Sequence, residues 1–350
     1  MFVRFNFIEK IIMKIFITRK IPEVGIKMLK DKGYEVDVYS KDKIPSQNEL
    51  IKLLKKKPYN AVLTLLTDKI DSKLLDAVPN AKIISNYAVG YDNLDIAEIA
   101  KRNMIATNTP GTSSDCVAEH TMALMLGLTT RMVEGDRFMR AGKYRGWEPM
   151  LLMGTDLKNK TLGLIGAGAI GERVAHQASR GFEMKIIYHD VVHNECVEKD
   201  YGAIYKNTVE EVLKEADIVT LHVPLLESTH NLINAGHFKM MKPTAYLINT
   251  SRGPVVDENA LVQALRKGVI RGAGLDVYEF EPKTAKGLTK LSNVILTPHI
   301  ASSRDSARGD MSRIAAQNII DVFEGRIPRG LIDGKHRVVC VPTEPVKTVA

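Results

Sequence analysis

The chain has 350 residues, 45% of them hydrophobic and 26% charged, with a formal net charge of +8. That length is generous for one hydrophobic core and fits two domains, and the composition is ordinary for a soluble globular protein. The longest mostly apolar window, from Met122 to Leu128, is far short of the ~18 residues a membrane span requires.

The three cysteines, Cys116, Cys196 and Cys340, are odd in number and scattered. They suit neither a disulfide framework nor a zinc site, so a reducing cytoplasm is the expected compartment and no metal is expected. The positive charge does not point to nucleic acid. Its densest run, Lys55-Lys56-Lys57, falls at a predicted helix end before Pro58, where cations complement the helix dipole, and no aromatic residues interleave with it. The basic balance fits small anionic substrates better.

Along the chain, short apolar runs alternate with helical patterns, which predicts α/β architecture with mostly parallel strands. Residues 1–12 read as a dispensable extension, and the first strand begins with Met13 and Lys14. Strands are predicted at Lys14–Thr18, Glu35–Tyr39, Ala61–Leu65, Lys82–Ser85 and Ile105–Thr107. Helices between them begin near Pro22, Ser46, Asp71 and Asp95. Pro22 suits a first helical turn, and Ser46 is an N-cap type with Glu49 three residues later. From Ser113 to about Ala141 the pattern predicts one long helix, apolar on more than one face and therefore buried.

A second α/β unit follows the Gly- and Pro-bearing segment 142–157. Strand Thr161–Ile165 leads to helix Gly168–Arg180. Then come strands Lys185–His189, Ile218–Leu221 and Ala245–Asn249, helix Asp257–Lys267, and strands Gly272–Asp276 and Val294–Leu296. An amphipathic helix over 302–322 closes the pattern, and the end beyond Pro342 reads as unstructured. The charged run Glu195–Asp200 reads only as a solvated face.

Gly166-Ala167-Gly168-Ala169-Ile170-Gly171 is a G-x-G-x-x-G run directly after a strand and opening a helix. Gly166 allows the tight turn, Gly168 lets a pyrophosphate approach the backbone, and Gly171 lets helix and strand pack closely. The free N–H groups at the helix start, around Ala169 and Ile170, favour phosphate. Nineteen residues beyond Gly171 the next strand ends at Asp190. A carboxylate there accepts from both adenosine ribose hydroxyls and repels a 2′-phosphate, and Val191, Val192 and His193 follow it. The reading is NAD, with NADP disfavoured.

Three later strands end in chemistry-bearing side chains. The strand ending Ile248-Asn249 leads to Thr250, Ser251 and Arg252, Leu275-Asp276 leads to Glu281, and Leu296-Thr297-Pro298 leads to His299. Ligands of parallel sheets bind beyond the carboxyl ends of strands. Reducing a 2-keto acid requires a proton donor, and histidine titrates nearest neutrality. Glu281 would orient the His299 ring and favour its protonated form, while the forked guanidinium of Arg252 would hold the substrate carboxylate and polarise the carbonyl.

With these residues stand further motifs: S-N-Y-A-V-G-Y-D-N-L-D at Ser85–Asp95, N-T-P-G at Asn108–Gly111, V-A-E-H-T-M-A-L-M-L at Val117–Leu126 and H-V-P-L at His222–Leu225. They continue with N-T-S-R-G-P-V-V-D at Asn249–Asp257, G-L-D-V-Y-E-F-E-P at Gly274–Pro282 and T-P-H-I-A-S at Thr297–Ser302. In this order they resemble the D-isomer-specific 2-hydroxyacid dehydrogenases from Met13 to about Leu331. Within that family the chain is most similar to the glyoxylate/hydroxypyruvate reductases.

The resemblance implies that Arg252, Glu281 and His299 form the active site. It also implies that backbone N–H groups around Val89 and Gly90 bind the substrate carboxylate and that Leu65 shapes the pocket. Asp276 would contact the nicotinamide carboxamide; His222, Val223, Pro224, Thr250 and Ser251, with His299, would line the cofactor. Trp147, the only tryptophan, would reach across a dimer interface into the partner's pocket. The implied architecture is two Rossmann-like or flavodoxin-like parallel-sheet domains. An NAD-binding domain, 113–299, is inserted into a substrate domain formed by 1–112 and 300–350, with catalysis in the cleft and hinge closure excluding water. A homodimer through the helix after Ser113 is implied as well.

Two departures stand out. Asp190-Val191-Val192 replaces the Ser-Arg often found in thermophilic relatives, and Ser302-Ser303-Arg304-Asp305 is more charged than usual. The alternatives are D-lactate, phosphite or 3-phosphoglycerate oxidation on the same scaffold, although no residues remain for the regulatory domain usual in the last. A dehydrogenase-like protein that only senses NADH is the alternative of a different class.

Overall fold

A computed structural model describes residues 12–332. All but the last residue of the expected N-terminal extension, the segment beyond Pro342 and Cys340 lie outside the described residues. The elements begin with β1 (Lys14–Ile17), α1 (Glu23–Asp31), β2 (Glu35–Val38), α2 (Gln47–Leu54) and β3 (Ala61–Leu65), followed by α3 (Ser72–Leu75), β4 (Ile83–Tyr87), α4 (Ile96–Lys101) and β5 (Ile105–Thr107). Next come α5 (Ser114–Thr129), α6 (Met132–Arg140), β6 (Thr161–Ile165), α7 (Ala169–Phe182), β7 (Lys185–His189), α8 (Glu195–Tyr201), β8 (Ile204–Tyr205) and α9 (Val209–Glu215). The rest are β9 (Ile218–Leu221), α10 (Ala235–Met240), β10 (Tyr246–Asn249), α11 (Glu258–Arg266), β11 (Gly272–Leu275), β12 (Val294–Leu296) and α12 (Asp305–Phe323). The chain divides into two compact units, one through Thr112 and again from Arg304, the other Ser113–Ser303.

The first unit is a five-stranded parallel sheet in the order β2-β1-β3-β4-β5. Strand side chains alternate between faces. Ile15 and Ile17 of β1 therefore meet Ile26 and Leu29 of α1 and Ala315 and Ile319 of α12. Phe16 faces the other way, toward Leu50 and Leu54 of α2 and Leu74 and Leu75 of α3. Gly25 lets α1 lie directly on α12, since a Cβ there would sit 2.3 Å from the Ser312 carbonyl oxygen.

The second unit is a seven-stranded parallel sheet in the order β12-β11-β10-β9-β6-β7-β8. Leu162 and Leu164 of β6 face α5 and α7, with Met122, Met125, Val174 and Ala178. Ile165 and Leu221 face α9 and α11, with Val212, Leu213, Leu261 and Leu265. The strand order reverses between β6 and β9, and the carboxyl ends at such a switch point form the natural ligand crevice of a doubly wound sheet. Both units are parallel α/β folds, as the alternation predicts.

Several local expectations are corrected. The single helix expected from Ser113 to Ala141 is two, because Arg131 takes a left-handed conformation (φ 55°) and clamps Glu134 with Nε and Nη2 at 2.9 and 2.8 Å. The Thr129 carbonyl oxygen, at the end of α5, accepts instead from the returning Thr155 N–H at 2.8 Å. Pro22 is the N-cap of α1, not part of its first turn: its ψ is 135°, and its carbonyl accepts from Ser312 Oγ at 2.7 Å. Ser46 does cap α2, but Glu49 pairs with Lys41 and Lys43. Lys57 does more than complement the helix dipole, since its Nζ lies 2.7 Å from both Glu35 and Asp37. Among the described residues no helix is long and apolar enough to cross a membrane.

Candidate active site

At the switch point the β6–α7 turn is built by glycines. Gly166 has φ 94°, a conformation open to glycine but strained for other residues, and a Cβ on it would meet the His222 backbone at 2.8 Å. A Cβ on Gly171 would meet the Gly166 carbonyl oxygen at 2.3 Å, so α7 presses directly on the turn. Gly168 differs: nothing lies within 4 Å of where its Cβ would be. It is also the N-cap of the fourteen-residue α7, and no side chain caps the free N–H groups of Ala169, Ile170 and Gly171. An open backbone cradle with an uncapped helix field fits a pyrophosphate.

Asp190 follows β7, half-buried. Its Oδ2 accepts from Ala167 N–H and its Oδ1 from Val191 N–H, both at 2.7 Å. The carboxylate thus fixes the glycine turn while keeping further lone pairs for ribose hydroxyls. His222 bonds Thr220 Oγ1 at 3.0 Å. Although part of that residue reaches solvent, desolvation of the ring pushes its pKa well below the ordinary imidazole value. A neutral ring suits a turn that already carries the helix field. Val223 packs against Gly166, and Pro224 is exposed.

Beyond β10 the Asn249 side chain folds the chain back on itself. Its Oδ1 accepts from Ser251 N–H and Oγ at 3.0 and 2.8 Å, and its Nδ2 donates to the Arg252 carbonyl at 2.9 Å. Thr250 bonds Thr121 Oγ1 of α5 at 2.9 Å. The next residue, Gly253, touches the neighbouring loop so closely that a Cβ would lie 1.9 Å from the Tyr278 carbonyl. That contact brings the Arg252 loop against the loop of Glu281.

Glu281 accepts from Tyr278 N–H at 3.0 Å through Oε1, while Oε2 lies 3.1 Å from His299 Nδ1. Burial alone pushes the Glu281 carboxyl up, but the hydrogen bond and charge of His299, the Tyr278 N–H and the Arg252 cation together hold it below the ordinary value. The loop is stapled from beneath by Glu258, which is 3% exposed and accepts from Glu279 N–H at 2.8 Å and Ala285 N–H at 2.7 Å.

His299 has φ 55°, a left-handed conformation unusual for a residue with a side chain. Asp276 holds it there. The Asp276 carbonyl accepts from His299 N–H at 2.8 Å, and the carboxylate, with no exposed surface, accepts from Thr297 Oγ1 (2.6 Å), Ile300 N–H (2.9 Å) and Ala301 N–H (2.8 Å). His120 of α5 completes the cluster at 3.0 Å from Thr297 Oγ1. The expected carboxamide contact of Asp276 would therefore share oxygens that already anchor the histidine loop. Glu258, His120 and Thr297 were not singled out from the sequence, although His120 falls in the Val117–Leu126 motif and Thr297 opens the Thr297–Ser302 one.

The remaining candidates stand elsewhere. Leu65 ends β3, half-buried, and Val89 and Gly90 form the turn after β4, all in the first unit. Trp147 lies on the segment after α6 and is 83% exposed among the described residues.

A glycine turn of this geometry at the switch point of a parallel sheet, with a histidine–carboxylate pair at the carboxyl edge of the same sheet, defines a nicotinamide-dinucleotide dehydrogenase. Comparison with known proteins agrees. The family profile described as "D-isomer specific 2-hydroxyacid dehydrogenase, NAD binding domain" matches residues 122–301. A glyoxylate reductase of Thermococcus litoralis is 47% identical over 324 residues, covering 91% of this chain and 96% of that protein. A glyoxylate reductase of Thermofilum pendens is 46% identical over 338 residues, 96% of this chain and 98% of that one. A crystal structure of a Thermus thermophilus protein superposes with a TM-score of 0.85 at 37% identity, over 92% of this chain and 100% of that chain. The chain belongs to the D-isomer specific 2-hydroxyacid dehydrogenase family.

Proposed function

We propose that the protein reduces a small 2-keto acid, glyoxylate or hydroxypyruvate, to the 2-hydroxy acid and uses NADH in preference to NADPH. The observation that carries this reading is the 3.1 Å His299–Glu281 contact at the carboxyl edge of the sheet that bears the glycine turn. With His299 Nδ1 engaged by Glu281, Nε2 is the nitrogen left to give a proton to the substrate oxygen. Arg252 holds the carboxylate and draws electron density from the carbonyl. The bound nicotinamide supplies the hydride.

In the first unit the proposal assigns Val89 and Gly90 amides to the substrate carboxylate and Leu65 to the pocket wall. In the second unit it assigns Gly166, Gly168, Ala169, Ile170, Gly171, Asp190, the 222–224 segment, Thr250, Ser251 and Asp276 to the dinucleotide. The likeness to two archaeal glyoxylate reductases supports the substrate class. Asp190 supports NADH, because a second negative charge at the ribose 2′ position would face a carboxylate in a partly desolvated site. A homodimer, with Trp147 entering the partner's pocket, belongs to the same proposal.

The test is a kcat/KM panel of glyoxylate, hydroxypyruvate and pyruvate with NADH and NADPH, with phosphite oxidation measured alongside. Glyoxylate or hydroxypyruvate should lead, with NADH favoured at least about tenfold, or ~1.4 kcal/mol. Equal use of NADPH would refute the role of Asp190. Turnover of phosphite alone would refute the substrate class.

A further inference from the structure

The turn after β4 is held in an unusual way. Three successive carbonyls are each taken by a donor from within the first unit: Ala88 by Thr109 N–H at 2.9 Å, Val89 by Asn108 Nδ2 at 2.6 Å, and Gly90 by Asn86 Nδ2 at 3.0 Å. In a planar trans peptide the N–H points opposite its carbonyl. Anchoring the Ala88 and Val89 carbonyls inward therefore turns the N–H groups of Val89 and Gly90 outward, and the hold on the Gly90 carbonyl fixes the peptide that follows. Among the described residues neither N–H donates to an acceptor, and Val89 is exposed. Successive outward N–H groups make an anion-binding concavity.

The two asparagines are themselves fixed. Asn86 has no exposed surface; its Oδ1 accepts from Thr64 Oγ1 at 3.1 Å, and its Nδ2 also donates to Asn93 Oδ1 at 3.0 Å. Asn93 in turn donates to the Leu65 and Asp68 carbonyls at 3.1 and 3.0 Å, tying the end of β3 to the same frame. Asn108 is held through its own backbone: its N–H donates to the Gly330 carbonyl at 2.9 Å, and its carbonyl accepts from Asn318 Nδ2 of α12 at 3.0 Å. Asn318 Oδ1 closes the loop by accepting from Gly330 N–H at 3.2 Å. At Asn86 the amide suits this task, since one group supplies a donor for the turn and an acceptor for the frame.

We propose that Asn108 is a positioning residue for substrate charge recognition: it locks the Val89–Gly90 peptide with the Gly90 N–H outward, while Asn86 braces the peptide that follows, so that the enzyme selects a carboxylate over its neutral counterpart. This rests on the proposed keto-acid reduction. Neither asparagine touches substrate in this scheme. They act through the backbone they hold.

The experiment compares wild type and Asn108→Ala with glyoxylate and with its neutral methyl ester, and measures NADH affinity by fluorescence titration. The expected result is a rise in KM for glyoxylate of ten- to hundredfold. KM for the ester should move less than about threefold and NADH affinity should stay unchanged, so the acid-over-ester preference collapses. Equal losses on acid and ester would assign Asn108 a merely structural role and overturn the proposal, as would an unchanged preference. Should Asn108→Ala fail to fold, Asn108→Ser, whose shorter side chain stops short of the Val89 carbonyl, repeats the test, and the same results support or overturn the proposal. Wild type inert toward glyoxylate and ester alike would overturn the keto-acid reading on which the inference stands, whereas active wild type with an unaltered variant overturns only the role of Asn108.

Discussion

Glu281 sits where two opposing influences meet. Desolvation favours its neutral form, while His299, the Tyr278 N–H and Arg252 favour the carboxylate, and the second group prevails. A carboxyl whose folded pKa is depressed contributes stability above its unfolded value and loses it as pH falls through the folded value. The Tm gap between wild type and Glu281→Gln should accordingly be fully open above the ordinary carboxyl value of 4.5 and narrow as pH falls below it. A gap independent of pH would show that the pair contributes no charge-dependent stability. At His299 the expected effect is on chemistry. Replacement by Ala should lower kcat by ~10²–10⁴-fold, the usual worth of a positioned proton donor, with NADH affinity near that of wild type. A kcat within a few-fold of wild type would remove the proton-donor assignment. Asp190 has a double duty, because it bonds Ala167 N–H as well as standing at the proposed ribose site. Asp190→Ser keeps a polar group there and should shrink the NADH-over-NADPH preference toward parity, measured as the ratio of kcat/KM values.

Elements that carry their own local signals were legible. Asp71, Asp95 and Asp257 accept from the N–H groups of Leu74, Glu98 and Ala260, as cap residues should, and the glycine turn matches its motif at each glycine. Where tertiary contacts decide, the sequence is mute. The break at Arg131 depends on Thr155 returning to the end of α5, and Pro22 is drawn out of the first turn of α1 by Ser312, distant in sequence. The two-residue β8 is too short to show a period, and α8 and α9 bury only narrow stripes, chiefly Val197, Val209, Val212 and Leu213. In the candidate site the groups at strand ends could be read. The residues that hold them, Glu258 beneath the Glu281 loop and His120 beside Thr297, could not, because their partners are backbone amides and a hydroxyl brought close only by folding. The α1–α12 contact offers a test at this scale. Gly25→Val would place two methyls where even a Cβ meets the Ser312 carbonyl at 2.3 Å, in backbone that has no room to give. Overpacking of this kind typically costs ~1–3 kcal/mol, and calorimetry should register a lowered Tm. An unchanged Tm would mean the helices separate freely and their packing is not what holds the first unit.

At the scale of the molecule, the apolar surface is unevenly placed. Met132, Met139, Tyr144, Trp147, Met150 and Met153 are all exposed within one stretch of the second unit, and Trp147 and Met150 are 83% and 71% exposed. Apolar groups scattered singly are ordinary on a surface, but a run of them marks an interaction site. A two-fold interface would cover the same stretch on both subunits, which is the commonest way a chain buries such a surface. Trp147, the sole tryptophan, makes this measurable without a label. Light scattering at micromolar concentration should give twice the chain mass, with emission at the shorter wavelengths of a buried indole. Dilution until the mass falls to that of one chain should shift the emission to longer wavelengths in parallel. Trp147→Ala should weaken association and also raise KM for the keto acid, since the proposal puts this indole in the partner's pocket. A variant that weakens association yet keeps wild-type KM in the dimer would separate the two roles and leave Trp147 an interface residue alone. A particle of one chain mass at every concentration, with the emission of an exposed indole throughout, would dismiss the dimer.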